Sequence, residues 1–306
     1  MAHLLFVVTM KSVRILLLLS IFSTFPVIIF AQDENTILKV DSSVVLLNAT
    51  ILDKSGKPVG GLKQEQFKVL EDGSQQTINF FSAEETPFAA VILIDTSGSM
   101  EERVSMARAA AINFLDGLRA NDSAAIYRFD SKVFLIQQFS GSRDIDEKVY
   151  DIKADGMTAL NDSIYKASVE LAKRAEKRRA IVVLSDGADT FSGVSSAKAL
   201  KAAMEADASI YTIDMSAINT NGKERMQNQA ALKNFAEKTG GRFISTPGGA
   251  AMRQAFKGIV EELGVQYTIS YEPSNLKKDG KWRSIELLVS RPNLTIRTRK
   301  GYTANK

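Results

Sequence analysis

The chain has 306 residues, 45% of them hydrophobic and 24% charged, enough to bury a core in one or two domains. It contains no cysteine, a single histidine (His3) and a formal net charge of +4. Disulfides, thiol nucleophiles and a lipid-carrying cysteine are thereby excluded, and so balanced a charge, with no basic cluster interleaved with aromatics, argues against a nucleic-acid partner.

Residues 15–31 read ILLLLSIFSTFPVIIFA, preceded by Lys11 and Arg14 and followed by the polar QDEN. A basic start, an apolar stretch and a small residue ahead of a polar segment form the pattern of a secretory signal peptide. Residues 1–31 are therefore expected to be removed, and the remainder exported to the periplasm, the cell envelope or the exterior. Pro26 and the modest length of the run speak against a retained anchor, so membrane association is expected only if the segment stays uncleaved. Its removal takes away Lys11, Arg14 and His3 and no acid, leaving 37 basic and 35 acidic residues. Without a histidine, the mature part has no Ser-His-Asp triad and no histidine-ligated zinc.

Two short β-rich stretches follow, SSVVLLNATILD and FKVLEDGSQQTINFFS, separated by the turn-forming KSGKPVGGL. Asp72-Gly73 inside the second is a hairpin signal. From about Pro87 the pattern alternates. Strand FAAVILID leads into a helix over Glu101 to Leu118, then come strands AAIYRF and VFLIQQF, a helix through IDEKVYDI and another from Asn161 to Arg174. Strand AIVVLSD, helix SAKALKAAMEA, strand SIYTIDM, helix QAALKNFAEKTG, strand RFIST and helix AMRQAFKGIVEEL complete the alternation. The loop MSAINTNGKERMQNQ is expected between SIYTIDM and its helix. Such alternation predicts an α/β domain, a Rossmann-like, doubly wound and mainly parallel sheet covered by helices on both faces. The tail returns to strands in VQYTISYEP, WRSIELLVS and LTIRTRKGYTA, and Trp282 in the second of these is expected in the core. The organisation predicted is an N-terminal β module over 33–86, the α/β domain over 87–265 and a C-terminal β segment over 266–306. The two flanking β regions are expected to pair into one sandwich.

The strand Val91 to Ile94 is wholly apolar, as suits a strand buried on both faces, and ends in Asp95 followed by Thr96, Ser97 and Ser99. In open α/β sheets ligands bind in the crevice beyond the carboxyl ends of the strands. Capping of the next helix is the plainer role for these side chains, and for Thr158 in ADGMTALND as well. A second apolar strand, however, also ends in an acid, Asp186. Two carboxylates and three hydroxyls make an all-oxygen set, which hard divalent cations favour, Mg²⁺ in six-fold geometry above all. Only two acids about neutralise the ion, so a position left open stays attractive to an outside carboxylate. Asp189 in SDGAD reads as a loop or cap residue and Asp162 as part of a helix start.

DTSGS at 95–99, GMTAL at 156–160 and LSDG at 184–187 resemble, in order, the three parts of the metal-ion-dependent adhesion site of von Willebrand factor A domains. The resemblance implies that Asp95, Ser97, Ser99, Thr158 and Asp186 hold a metal, usually Mg²⁺ with Mn²⁺ or Ca²⁺ as alternatives. It further implies that an acidic residue of a protein partner completes the coordination. More loosely, the whole arrangement is similar to exported bacterial proteins in which such a domain is bracketed by β segments.

Three rival functions are weaker. SSAK at 195–198, SDG at 185–187 and KTG at 238–240 approximate the motifs of a penicillin-binding or β-lactamase-type serine acyl transferase, but in the wrong order. A phosphoryl transferase with Asp95 as nucleophile lacks a second acid two residues on, where Ser97 stands. A structural envelope protein with an inactive site would not need the complete set of oxygens. The sequence therefore points to a non-enzymatic binding module.

Overall fold

A computed structural model describes residues 44–304 apart from 84, 142–146, 150–151, 155, 218–220 and 246–248. The expected signal peptide, residues 1–31, lies outside the described residues. Among those described, no helix is long and apolar enough to cross a membrane.

In chain order the first strands are β1 (Val45–Leu52), β2 (Phe67–Glu71), β3 (Ser74–Gln76) and β4 (Ile78–Ser82). The alternating region contains β5 (Phe88–Asp95), α1 (Val104–Asp116), β6 (Ser123–Phe129), β7 (Val133–Ser140), α2 (Leu160–Ala172) and β8 (Arg178–Ser185). It continues with α3 (Ser196–Glu205), β9 (Ala208–Asp214), α4 (Gly222–Thr239), β10 (Phe243–Ser245) and α5 (Gly249–Gly264). Strands β11 (Tyr267–Tyr271), β12 (Trp282–Val289), β13 (Thr295–Arg297) and β14 (Gly301–Thr303) close the chain.

Strands β5 to β10 form a six-stranded sheet in the order β10-β9-β8-β5-β6-β7, parallel except for the antiparallel edge strand β7. Every residue of β5 is buried, and successive side chains serve opposite faces. Phe88, Ala90, Ile92 and Ile94 pack with Ala107, Phe114 and Leu115 of α1 and Phe256 and Ile259 of α5. Ala89, Val91 and Leu93 pack with Leu160 and Ile164 of α2, Ala199 of α3 and Leu232 of α4. This is the Rossmann-like, doubly wound α/β arrangement, and its strand order reverses between β5 and β8.

The flanking β regions interleave. One sheet runs β13-β1-β11-β4 and the other β14-β12-β2-β3, so each contains strands from both ends of the chain. Leu47 lies opposite Ile269 in the first, and Val69 opposite Leu287 in the second. A shared core of Leu47, Ile51, Phe67, Val69, Ile269 and Leu287 joins the two sheets into one sandwich.

The sandwich and the α/β layers belong to one unit, from Ser42 to Lys306. Arg178, fully buried at the start of β8, ties them together. Its guanidinium donates to the carbonyls of Gly264 at 3.0 Å and Thr86 at 3.4 Å, and to Thr268 Oγ1 at 3.2 Å. Burial, with Arg119 nearby, lowers the Arg178 pKa to about 10, so the group keeps its charge at neutral pH. Glu262 of α5 is 2% exposed and pairs with Arg242 at 2.8 Å and with Arg297 of β13 at 2.5 Å.

Three elements and one side chain differ from the sequence expectation. Helix α1 starts at Val104 because Gly98–Met100 turn first in a 3₁₀ helix. The helix expected through IDEKVYDI is a 3₁₀ turn, Glu147–Val149, with 145–146 and 150–151 outside the described residues. Val149 of this turn and Ile152 beyond it both pack into the core. Helix α4 begins within the expected loop: the Asn221 side chain accepts the Lys223 N–H at 2.9 Å and caps the helix. Trp282 is 44% exposed, because the alternation of β12 turns Arg283, Ile285 and Leu287 inward and Trp282 outward.

Candidate metal centre

Strands β5 and β8 are parallel neighbours with Ile94 beside Leu184, so Asp95 and Ser185 end their strands side by side. This is the point at which the strand order reverses, where open α/β sheets bind ligands. Asp95 is fully buried. Its Oδ1 accepts the Ser97 N–H at 2.9 Å and the Ser97 hydroxyl at 2.6 Å. Its Oδ2 accepts the Ser185 hydroxyl at 2.5 Å. Ser97 Oγ lies 3.1 Å from Ser99 Oγ, and Ser99 is exposed, so this row of oxygens runs from the sheet to the surface.

The serines do not cap a helix. Ser97 precedes the 3₁₀ turn without a side-chain capping bond, and Arg103 precedes α1 likewise. Thr96 is absent from the cluster: its N–H and its hydroxyl both donate to the Phe129 carbonyl, at 2.7 and 3.0 Å, anchoring the loop to β6.

The second loop is joined to the first by the Gly98 N–H, which donates to the Gly156 carbonyl at 3.0 Å. Thr158 is buried, and its described bonds are made by its backbone. The N–H donates to Thr190 Oγ1 at 3.0 Å, and the carbonyl accepts the N–H groups of Thr190 and Phe191, each at 2.9 Å. Thr158 does not cap α2. Asp189 takes that role from the third loop, accepting the Leu160 N–H at 3.1 Å and also the Asn161 side-chain amide. Asp162 returns the bond, accepting the Val194 N–H at 2.8 Å and that of Gly193 at 3.2 Å.

Asp186 is half-buried, and its Oδ1 accepts the Ala188 N–H at 3.2 Å. Its carbonyl accepts the Ser216 hydroxyl at 3.4 Å from the loop after β9. Gly187 has φ of +85° and lies against α4, where an added Cβ would stand 2.6 Å from the Asn228 carbonyl oxygen. Only glycine allows this close approach in the left-handed region.

Asp95 has an unusual electrostatic position. Burial pushes its pKa up to about 6, the Ser185 and Ser97 hydrogen bonds act in the opposite direction, and the charge of Asp186 adds to the rise. The described residues give Asp95 three hydrogen-bond donors and no ion pair. A buried carboxylate of this kind is stabilised by a cation, and the surrounding hydroxyls are oxygen donors suited to a hard one. Among the described residues no group of three or more His, Cys, Asp and Glu could hold a metal ion.

Sequence reading missed Ser185, Thr190 and Ser216. Ser185 stood in view inside LSDG, immediately before an acid at a strand end. The other two act through contacts between loops that no local pattern reveals.

The acyl-transferase motifs are not assembled. Ser195 caps α3, accepting the Lys198 N–H, and the Lys198 ammonium lies over the Tyr165 ring. Thr239 accepts the Ile210 N–H near the beginning of β9, whereas Ser185 pairs with Asp214 at the end of that strand.

A family model described as von Willebrand factor type A domain matches residues 90–188. Among solved structures the chain is similar to the PilB minor pilin from Streptococcus sanguinis, with 14% identity over 60% of this chain and 63% of that one and a TM-score of 0.46. It thus spans less than two thirds of that protein's length. It is also similar to the vWF domain of the type V pili tip protein Mfa5 from Porphyromonas gingivalis, with 15% identity, 60% and 98% of the two chains covered, and a TM-score of 0.49. A third similarity is to a von Willebrand factor type A structure from Catenulispora acidiphila, with 14% identity, 83% and 71% covered, and a TM-score of 0.49. No curated protein matches the sequence.

Proposed function

This chain carries a von Willebrand factor type A domain, and from that premise we propose that it is an exported, non-enzymatic binding module that captures an acidic side chain of a protein partner at a Mg²⁺ site. Asp95, Ser97, Ser99, Thr158 and Asp186 are the proposed ligands. The observation that carries the reading is the Asp95 carboxylate, buried with no ion pair among the described residues and in line with the Ser97 and Ser99 hydroxyls toward the surface.

Each residue has a separate task in this proposal. Asp95 and Asp186 supply negative charge, and Ser97, Ser99 and Thr158 supply neutral oxygens. When bound, Mg²⁺ supplies an electrophilic position for an incoming carboxylate oxygen. Ser185 orients Asp95 without serving as a ligand, and the Gly98–Gly156 backbone bond keeps the first two loops in register.

The test is calorimetric titration of Mg²⁺ into the metal-stripped protein and into its Asp95→Ala, Asp186→Ala double variant. Saturable one-to-one binding in the parent, lost in the variant, is expected, followed by Mg²⁺-dependent and EDTA-sensitive capture of an acidic partner. Absence of saturable binding in the parent would overturn the reading.

A further inference from the structure

The loops around the proposed metal position expose two large apolar side chains. Met157 is 48% and Phe191 is 51% exposed. Met157 stands between Gly156, whose carbonyl holds the Gly98 N–H, and Thr158, whose carbonyl accepts the Phe191 N–H at 2.9 Å. The two residues therefore lie on backbone segments bonded to each other, and the Met157 segment is bonded in turn to the exposed Gly98, next to the exposed Ser99.

Their exposure is not that of a loose loop. The Phe191 segment is fastened to the start of α2 on both sides. Ahead of it, Asp189 binds the Leu160 N–H and Thr190 binds that of Thr158. Behind it, the Ser192 hydroxyl accepts the Asp162 N–H at 3.1 Å and donates to Asp189 at 2.6 Å, while Asp162 binds the N–H groups of Gly193 and Val194. So much hydrogen bonding spent on presenting an aromatic ring and a thioether to solvent describes a preorganised anchor. Rigid aromatic anchors lose little entropy on binding, and methionine adapts to the shape placed against it.

We propose that Met157 and Phe191 form a specificity rim that selects a partner segment in which the captured carboxylate lies beside a large apolar side chain. This rests on the metal-dependent reading above and deepens it. The charge of the site, neutralised by a cation, accepts the acid, and the rim beside it removes the neighbouring apolar group from water. A carboxylate flanked by small or charged residues would satisfy the first requirement and not the second.

The experiment uses the full chain and a displayed peptide library with one fixed aspartate and random flanking positions, selected in Mg²⁺ and in EDTA. Selection in Mg²⁺ is expected to enrich Leu, Ile, Met or Phe next to the aspartate. A Met157→Ser, Phe191→Ser double variant should still bind Mg²⁺ in calorimetry while its selected peptides lose that flank preference. For the best peptide, affinity should fall about tenfold in the variant, the loss expected for one well-buried apolar contact. Mg²⁺-dependent selection without apolar flanks, or a preference unchanged in the variant, overturns the rim and leaves the metal site standing. Mg²⁺ binding with no Mg²⁺-dependent peptide also overturns the rim. Failure of the parent to bind Mg²⁺ removes both readings.

Discussion

The hydroxyl of Ser185 donates to Asp95 Oδ2 at 2.5 Å, a bond between the ends of two parallel strands ninety positions apart in sequence. It joins the first and third loops of the candidate site. The same hydroxyl accepts the Gly187 N–H at 3.0 Å, so the turn that carries Asp186 is organised around the atom that orients Asp95. Ser185→Ala should remove a charge-assisted bond inside a buried site and cost about 1–3 kcal/mol, measurable by urea unfolding. The same variant should weaken Mg²⁺ binding without abolishing it, because no proposed ligand is lost.

The pH response follows from Asp95. Its pKa in the fold, about 6, lies above the ordinary 3.8, chiefly because of burial. The protonated group is thus favoured in the fold. Its contribution to the stability of the metal-free protein is full below 3.8 and is lost as pH rises through about 6. The difference is of order 3 kcal/mol, so for this group alone the metal-free protein should be more stable near pH 4 than at pH 7. Mg²⁺ competes with that proton. Apparent affinity should be level above about pH 7 and fall by up to about tenfold per pH unit below about 6. Titrations across pH 5 to 8 would reveal a flat profile if Asp95 took no part.

Gly187→Ala is expected to be more damaging than its size suggests. The new Cβ would meet the Asn228 carbonyl at 2.6 Å and Leu232 Cγ at 2.9 Å, on backbone already at φ of +85°. Relief requires either the Asp186 turn or α4 to move. A loss of about 2–4 kcal/mol in thermal or urea unfolding is expected, together with weaker Mg²⁺ binding.

Glu262 links α5 to Arg242 and to Arg297 of the sandwich. Glu262→Gln leaves two guanidinium groups facing a neutral amide in a mostly buried setting, and about 3–5 kcal/mol should be lost, as when one partner of a buried ion pair is removed. Mg²⁺ binding should persist at temperatures where the variant stays folded, since Glu262 is not among the proposed ligands. Differential scanning calorimetry with and without Mg²⁺ separates the two effects.

Much of this molecule was legible locally. FAAVILID and AIVVLSD are uninterrupted apolar runs closed by polar ends, and such runs belong to strands covered on both faces. Their alternation with helical patterns predicted the doubly wound sheet, and therefore the edge at which Asp95 and Asp186 emerge. The DTSGS turn also folds on its own terms, with Asp95 and Ser97 bonded within two residues of each other. Local reading failed where one signal carries two meanings. MSAINTNGKERMQNQ reads as a loop, yet Asn221 within it caps a helix, and Trp282 is apolar in composition but outward by its place in the β12 alternation.

What the sequence by itself determined was the type of most elements and the order of the oxygen-bearing loops, because periodicity and turn chemistry act over a few residues. Tertiary structure alone decided which strands became neighbours. Val69 meets Leu287 across more than two hundred positions, Ser185 reaches Asp95, and Asp189 caps a helix that begins before it in the chain. Those pairings depend on register and on closure of distant segments around a shared core, and no window of a single strand or helix contains that information.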